Sequence, residues 1–373
     1  MISDRLLSLV RCPDCRAPLD RGLTPMGVAP VSDWGQTPGT ASPYLTLRCS
    51  GCGREYPGTT ADYLDLRPRE AFTEQTKYLD ESLHADARHE RVSPPLLGSK
   101  IRNDMLRAFL APRPGELVAD LGCGSGRTLL WNQDWQAATV GIDIAPFFSR
   151  EARRNVDLLI GDLRRLPFAD GTFAKTFSLD VLEHLSPDAL GGMLAEASRV
   201  LAPGGALFVY THVRKNAPIA RGLRAINRLA RWLDRAGLVD LRQEHLRKSD
   251  HLNPLADIPE LERVAHDAGF RIARIRYYTP IVGGFVENIL VRMAERAMAR
   301  RASSRLPAST PAAAARAEAI KEARTAAKER IATSRTTRAV LEALSFAMKL
   351  DLVLFGRIRS GPFFALLVKE PRQ

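Results

Sequence analysis

The stretch Val118–Arg127 reads Val-Ala-Asp-Leu-Gly-Cys-Gly-Ser-Gly-Arg: an apolar run ends in a carboxylate and breaks into three glycines at alternate positions. A buried strand that stops in a tight turn carries this pattern. Glycine adopts left-handed dihedrals without steric cost and lets a ligand approach the backbone closely. An ordinary surface turn is compatible with the same three glycines, so the flanking sequence has to discriminate.

From Glu116 onward, apolar segments alternate with helical ones, which argues for an α/β fold with a parallel sheet flanked by helices. Strands are predicted at Glu116–Leu121, Thr139–Ile142, Val156–Ile160, Ala174–Leu179 and Ala206–Tyr210, with a helix near Asp188–Leu201 ended by Pro203-Gly204-Gly205. A helix at Ile258–Ala268 and a strand at Phe270–Tyr278 follow, and Phe363–Lys369 reads as a last strand returning antiparallel to the sheet edge. Upstream, Ile101–Leu110 is an amphipathic helix with Ile101, Met105, Ala108 and Phe109 on one side. Asp143 ends the second strand, close to the distance past the glycine turn at which an acidic residue grips ribose hydroxyls in such sheets. Asp162 ends the third strand, and the fourth runs into Asp180-Val181-Leu182-Glu183-His184. A pyrophosphate-binding dehydrogenase carries Gly-x-Gly-x-x-Gly; here the third glycine comes one residue earlier, as suits a ligand without a phosphate.

This series of motifs, over about Ile101–His212, resembles the class I S-adenosylmethionine-dependent methyltransferases, of the methyltransferase type 11-like group. The resemblance implies a Rossmann-like class I methyltransferase sheet with helical insertions. It also implies that Asp120, Gly122, Gly124 and Gly126 shape the methionine end of the cofactor site, that Asp143 takes the ribose hydroxyls and that Ile144 stacks on the adenine. Asp162 is expected to accept from the adenine amino group with Leu163 beside it, and Leu179 and Asp180 to border the methionine amino group. The transferred methyl group is already electrophilic, so orientation and exclusion of water supply most of the acceleration. A base is needed only where the acceptor loses a proton. His184, just after the fourth strand, is placed for that, since an unperturbed histidine titrates near neutral pH; a helix-start histidine bonding the backbone is the alternative. No Asn/Asp-Pro-Pro-Tyr motif follows the fourth strand, which disfavours methylation of exocyclic amino groups on nucleic acid.

Four of the five cysteines form two C-x-x-C pairs, Cys12/Cys15 and Cys49/Cys52. The long stretch between the pairs is rich in Gly, Pro, Ser and Thr and reads as a loop inserted between two short hairpins. Two such knuckles make a closed tetrahedral sulfur site of the kind structural Zn2+ prefers, and no secretory signal favours disulfides instead. The layout Leu47-Arg48-Cys49-Ser50-Gly51-Cys52-Gly53-Arg54-Glu55-Tyr56-Pro57 resembles the Trm112-like zinc ribbons, over roughly Leu6–Leu66, which occur alone or fused to methyltransferases.

The chain is 373 residues long with net charge +12, but the charge is local. Arg214–Lys248 carries +7 and Phe285–Gln373 carries +9, which leaves −4 for the rest. In the first of these segments Arg221, Arg224, Arg228, Arg231 and Arg235 recur every three or four residues along an amphipathic helix. Such a helix serves as a solvated lid, a membrane-surface or hydrophobic-substrate lid, or a phosphate contact. His245 and His251 follow it; His251 is a candidate substrate contact. Phe285, Val286, Ile289, Leu290, Met293 and Ala297 are expected on one face of a later helix, and Ser303–Ala315 reads as a linker. No stretch is apolar and long enough for a transmembrane helix.

The division expected is a zinc-ribbon module (1–68), a linker or flap helix (69–100) bearing Tyr78, a methyltransferase domain (101–284) with a basic lid (213–253), a helical insertion (285–356) and a final strand (357–373). The function expected is methyl transfer to a small-molecule or lipid-like acceptor in the cytoplasm, with peripheral membrane contact through the basic helices. An rRNA or tRNA methyltransferase is the alternative, and a non-catalytic cofactor-binding scaffold a second one.

Overall fold

The structure is a computed structural model that describes residues 2–23, 45–56, 62–70, 92–215, 218, 220–241, 251–252, 254–303, 333–359 and 361–371. Tyr78, His245, most of the 69–100 segment and nearly all of the Ser303–Ala315 linker lie outside these residues.

The elements are α1 (Asp4–Leu9), β1 (Leu19–Leu23), β2 (Leu45–Cys49), β3 (Glu55–Tyr56), β4 (Leu64–Asp65), α2 (Leu97–Leu110), β5 (Leu117–Leu121), α3 (Arg127–Trp131), β6 (Ala138–Asp143), α4 (Arg150–Asn155) and β7 (Asp157–Ile160). There follow β8 (Phe173–Leu179), α5 (Pro187–Val200), β9 (Leu201–His212), α6 (Ala220–Arg235), α7 (Ile258–Asp267), β10 (Phe270–Tyr277), α8 (Ile281–Phe285), α9 (Arg292–Ser303), α10 (Arg335–Met348), α11 (Leu350–Phe355) and β11 (Pro362–Lys369). Helix starts follow their capping chemistry: the Ser149, Ser186 and Asp257 side chains each accept from a backbone N–H three residues on.

An eight-stranded sheet in the order β10–β11–β9–β8–β5–β6–β7–β4 forms the body. It is parallel from β9 to β4, and β11 runs antiparallel between β9 and β10. The chain builds outward from β5 through β6 and β7, then returns to place β8 on the other side of β5. That reversal puts a topological switch point at the C-terminal ends of β5 and β8, where open α/β sheets bind ligands. Alternate residues feed two apolar clusters: Ala119 and Leu121 belong to one, Val118, Phe177, Phe208 and Phe364 to the other.

The N-terminal segment is built into this body. Its three-stranded sheet β1–β2–β3 places Cys49 at the end of β2 and Cys52 in the turn that follows, Cys12 and Cys15 lie between α1 and β1, and β4 pairs in parallel with β7 as the edge of the main sheet. Leu6, Val10 and Leu66 are buried in the same cluster as Ala119 and Leu121. The Arg11 amide donates to the Pro167 carbonyl at 2.8 Å, and Arg16 pairs with Glu196 at 3.2 Å.

Three local readings change. The fifth strand is longer than expected, because a register shift between Phe173 and Lys175 accommodates Pro203-Gly204-Gly205 within β9. On α2, Ala108 is exposed and Leu106 is buried with Ile101 and Phe109. The helix after Tyr278 does not present one apolar face: Val286 and Ile289 are buried, but Phe285, Leu290 and Met293 are exposed. Val286–Val291 is a π-helical stretch between α8 and α9, and its wider turn moves later residues off the 3.6-residue stripe.

Candidate functional site

The glycine turn leaves β5 with Gly122, Gly124 and Gly126 at φ +88°, +53° and +77°. The Gly122 and Cys123 amides both donate to the Ile142 carbonyl, at 2.8 and 3.0 Å, which holds the turn against β6. A Cβ on Gly122 would lie 2.4 Å from Val181 Cγ2, and one on Gly126 would lie 2.7 Å from Ala152 Cβ. A Cβ on Gly124 would meet nothing within 4 Å. Two of the glycines are therefore required by packing, whereas Gly124 faces open space.

Asp143 reaches back to this turn. Its carboxylate accepts from the Gly124 amide at 2.7 Å and from the Ala145 amide at 3.1 Å. Asp120 is 2% exposed, and burial and then the charge of Asp143 push its carboxyl well above the usual range. Burial raises Asp143 too, against the backbone amides that lower it. Two carboxyl groups held together in a poorly solvated turn favour a cationic ligand, which relieves the repulsion between them. An anionic dinucleotide does the opposite. Ile144 is half-buried beside Asp143, and Cys123 is buried with its thiol pushed well above the ordinary value, so it is no nucleophile at neutral pH.

Asp162, buried at the end of β7, is gripped by its neighbour Arg164: Nε lies 3.0 Å from Oδ1, Nη2 lies 2.7 Å from Oδ2, and the Arg164 amide donates to Oδ1 at 2.9 Å. A ligand amino group approaching Asp162 has to share a carboxylate already bound by a fork of donors. Leu163 packs half-buried against the core.

Leu179 ends β8 and Asp180 follows it with φ +56°, a left-handed conformation that aspartate tolerates better than most residues. The Asp180 amide donates to the Tyr210 carbonyl at 3.1 Å, and its carboxylate pairs with Arg102 of α2 at 3.3 Å. The Arg102 guanidinium also lies 5.6 Å from the Tyr210 ring centroid. Neither Arg102 nor Tyr210 carries a signal in the sequence, because each reaches this corner from a separate element.

Beyond Asp180 the structure brings together His184 and His251, which stand far apart in the chain. Their rings lie 4.7 Å apart at 90°, and His251 also lies 5.4 Å from the His212 ring. The buried Glu183 joins them: its carboxylate accepts from Thr211 Oγ1 at 2.9 Å and approaches His212 Nδ1 to 4.0 Å. Burial, then the charge of Asp180, pushes its carboxyl up to about 8. Sequence reasoning missed Glu183 and His212; the adjacency Glu183-His184 was the signal for the former.

At the other end of the chain, one ligand atom each from Cys12, Cys15, Cys49 and Cys52 falls in one cluster. The Cys12 and Cys52 sulfurs are 3.8 Å apart and those of Cys15 and Cys49 3.3 Å. Zn–S bonds of about 2.3 Å place tetrahedral sulfurs roughly 3.8 Å apart, so the set fits zinc with little adjustment. The Gly51 and Cys52 amides point at Cys49 Sγ, each at 3.4 Å, which offsets thiolate charge in such a knuckle.

The arginine stripe lies on the exposed face of α6, where Arg221, Arg224, Arg228, Arg231 and Arg235 are all exposed. Ala230 of that helix packs against Val239, Leu241 and Ile289, yet Trp232 is 60% exposed. On α10 and α11, Phe346 is 73% and Val353 71% exposed. Among the described residues no helix is long and apolar enough to cross a membrane.

Residues 118–205 match the family model described as the methyltransferase domain. The chain is 34% identical over 134 residues to "Probable tRNA methyltransferase 9B" of Mus musculus, a match covering 35% of this chain and 30% of that protein. It is 42% identical over 105 residues to the demethylmenaquinone methyltransferase of Corynebacterium kroppenstedtii, covering 28% of this chain and 44% of the relative. The matched stretches thus span less than half the length of these curated relatives. A solved structure of Haemonchus contortus phosphoethanolamine N-methyltransferase 2 with S-adenosyl-L-methionine overlaps 88% of this chain and 63% of that one, at 16% identity and a TM-score of 0.45. Residues 118–205 thus carry a methyltransferase domain, on a mostly parallel α/β sheet and preceded by a four-cysteine cluster.

Proposed function

We propose that this chain, on the strength of its methyltransferase domain, transfers a methyl group from S-adenosylmethionine to a small-molecule or lipid-like acceptor. One observation carries the reading: two raised carboxyl groups, Asp120 and Asp143, flank a left-handed turn whose Gly124 opens onto free space. S-adenosylmethionine, cationic at sulfur and at its amino group, suits that charge, and when bound it supplies an electrophilic methyl group. In this reading Asp143 holds the ribose hydroxyls, Asp120 and the glycines shape the methionine end beside Leu179 and Asp180, and Ile144, Asp162 and Leu163 border the adenine. Arg102 fixes Asp180, and so sets that border from the side of α2. His184 and His251 stand together beyond Asp180, where an imidazole takes the proton that an acceptor hydroxyl loses.

The acceptor class rests on the lid helices. An exposed arginine stripe beside Trp232, with Phe346 and Val353 also exposed, has the composition of a surface that lies on anionic lipid. The protein is then cytoplasmic and peripheral to the membrane. The four cysteines hold a structural zinc ion that ties the two knuckles of the ribbon together. A second reading, RNA as acceptor, is supported by the same arginines and by the relative named as a tRNA methyltransferase. The test is transfer of labelled methyl from S-adenosylmethionine into fractionated lipid, small-molecule, RNA and protein extracts. Label in the lipid or small-molecule fraction supports the first reading, and label in RNA the second. Failure to bind S-adenosylmethionine in calorimetry refutes both.

A further inference from the structure

We propose that Glu183, His184 and His251 form a second metal site, separate from the four cysteines, for a divalent ion of the first transition row. One ligand atom from each of the three lies within 4.8 Å of the others. Metal–nitrogen and metal–oxygen bonds of about 2.0–2.2 Å put neighbouring ligand atoms roughly 3–4 Å apart, so small side-chain rotations close the set around an ion. Two imidazoles and one carboxylate form the donor set that takes iron(II), cobalt(II) or zinc while leaving coordination positions open. Magnesium and calcium, which want mostly oxygen ligands, are poor matches to it.

The surroundings of the three groups are those of a ligand set. Thr211 Oγ1 donates to Glu183 at 2.9 Å and orients the carboxylate, the kind of outer hydrogen bond that steadies metal ligands. Glu183 and His184 are fixed by a short 3-10 turn, Leu182–His184, whose His184 amide donates to the Val181 carbonyl at 2.9 Å. His212, 5.4 Å from the His251 ring and 4.0 Å from Glu183, stands outside the three-residue set, where it can bond a metal-bound water.

The site differs in kind from the ribbon cluster: one offers four sulfurs, the other nitrogen and oxygen. It adjoins Asp180 at the end of β8. Its open positions suit an acceptor that presents an oxygen; this last point rests on the methyltransferase reading.

The experiment uses the full-length protein with its cysteine-bound zinc in place, stripped of weaker metals by mild chelation and titrated with Co2+, Zn2+ and Mg2+. We expect one equivalent of Co2+ per chain, giving visible d–d bands without the near-ultraviolet charge-transfer band of a cobalt thiolate, and competition by Zn2+ but not by Mg2+. Glu183→Gln keeps the shape of the buried side chain, and His251→Ala alters a residue outside the sheet; each should weaken Co2+ binding at least tenfold while the zinc content at the cysteines stays constant. S-adenosylmethionine calorimetry on the same samples separates the two readings: its failure removes the methyltransferase reading and leaves the metal count untouched. Absence of Co2+ uptake by the wild-type protein, or unchanged affinity in both folded variants, overturns the proposal.

Discussion

Replacing Gly124 with alanine separates the two roles that the glycine turn combines. Its φ of +53° is unfavourable for an L-residue by about 1–2 kcal/mol, and the stiffer unfolded chain returns about 0.4–1 kcal/mol. No atom within 4 Å opposes the new Cβ, so the net loss of stability is about 1 kcal/mol, and the melting temperature should fall by roughly 1–2 °C. The methyl group nevertheless fills the space that the proposed ligand enters, beside the amide that bonds Asp143. We expect affinity for S-adenosylmethionine to fall at least tenfold, or about 1.4 kcal/mol. Gly122→Ala is the control. Its Cβ would stand 2.4 Å from Val181 Cγ2 in addition to a φ of +88°, so strain and overpacking together cost about 3 kcal/mol or more. Isothermal calorimetry and thermal unfolding on the three proteins check both numbers. If folded Gly124→Ala binds S-adenosylmethionine with wild-type affinity, the ligand does not approach this backbone and the site assignment fails.

Asp120 gives a prediction in pH. Its carboxyl titrates above its unfolded value of about 3.9, so the native state keeps the proton longer and stability falls as pH rises from that value through the folded one. Asp120→Asn should remove this slope, raise the melting temperature of the ligand-free protein at pH 7 and weaken S-adenosylmethionine binding; an unchanged slope contradicts the assignment. Cys49→Ser should empty the ribbon of zinc by elemental analysis and lower the melting temperature of the whole chain, because Cys49 and Leu6 belong to the same apolar cluster as Leu121. A zinc content equal to that of the wild-type protein is the contrary result. Trp232→Glu, which adds charge where the side chain is 60% exposed, should reduce sedimentation with anionic vesicles several-fold with little change in melting temperature, and equal sedimentation counts against the membrane surface.

The parts of the site that lie close together in the chain were legible in its sequence. Gly122, Gly124, Gly126 and Asp143 follow from strand ends and turn chemistry, and the structure joins Asp143 to the Gly124 amide. The two cysteine knuckles are local motifs as well, and their sulfurs converge. Periodicity failed where the helix changed type: the π stretch at Val286–Val291 breaks the stripe that an unbroken α-helix would give Leu290 and Met293. Arg102, Tyr210, Glu183 and His212 were missed because their roles depend on neighbours contributed by other elements.

Sequence alone determined the α/β alternation, the glycine turn and the carboxylates at the strand ends, because each depends on residues within a few positions of one another. Tertiary structure decided what those features face. It set β8 beside β5 to make the switch point, made β4 of the ribbon an edge of the main sheet, engaged Asp162 with Arg164, and carried His251 from a distant part of the chain to stand over His184. Contacts of that range are fixed by the packing of whole elements, so local propensity carries no trace of them.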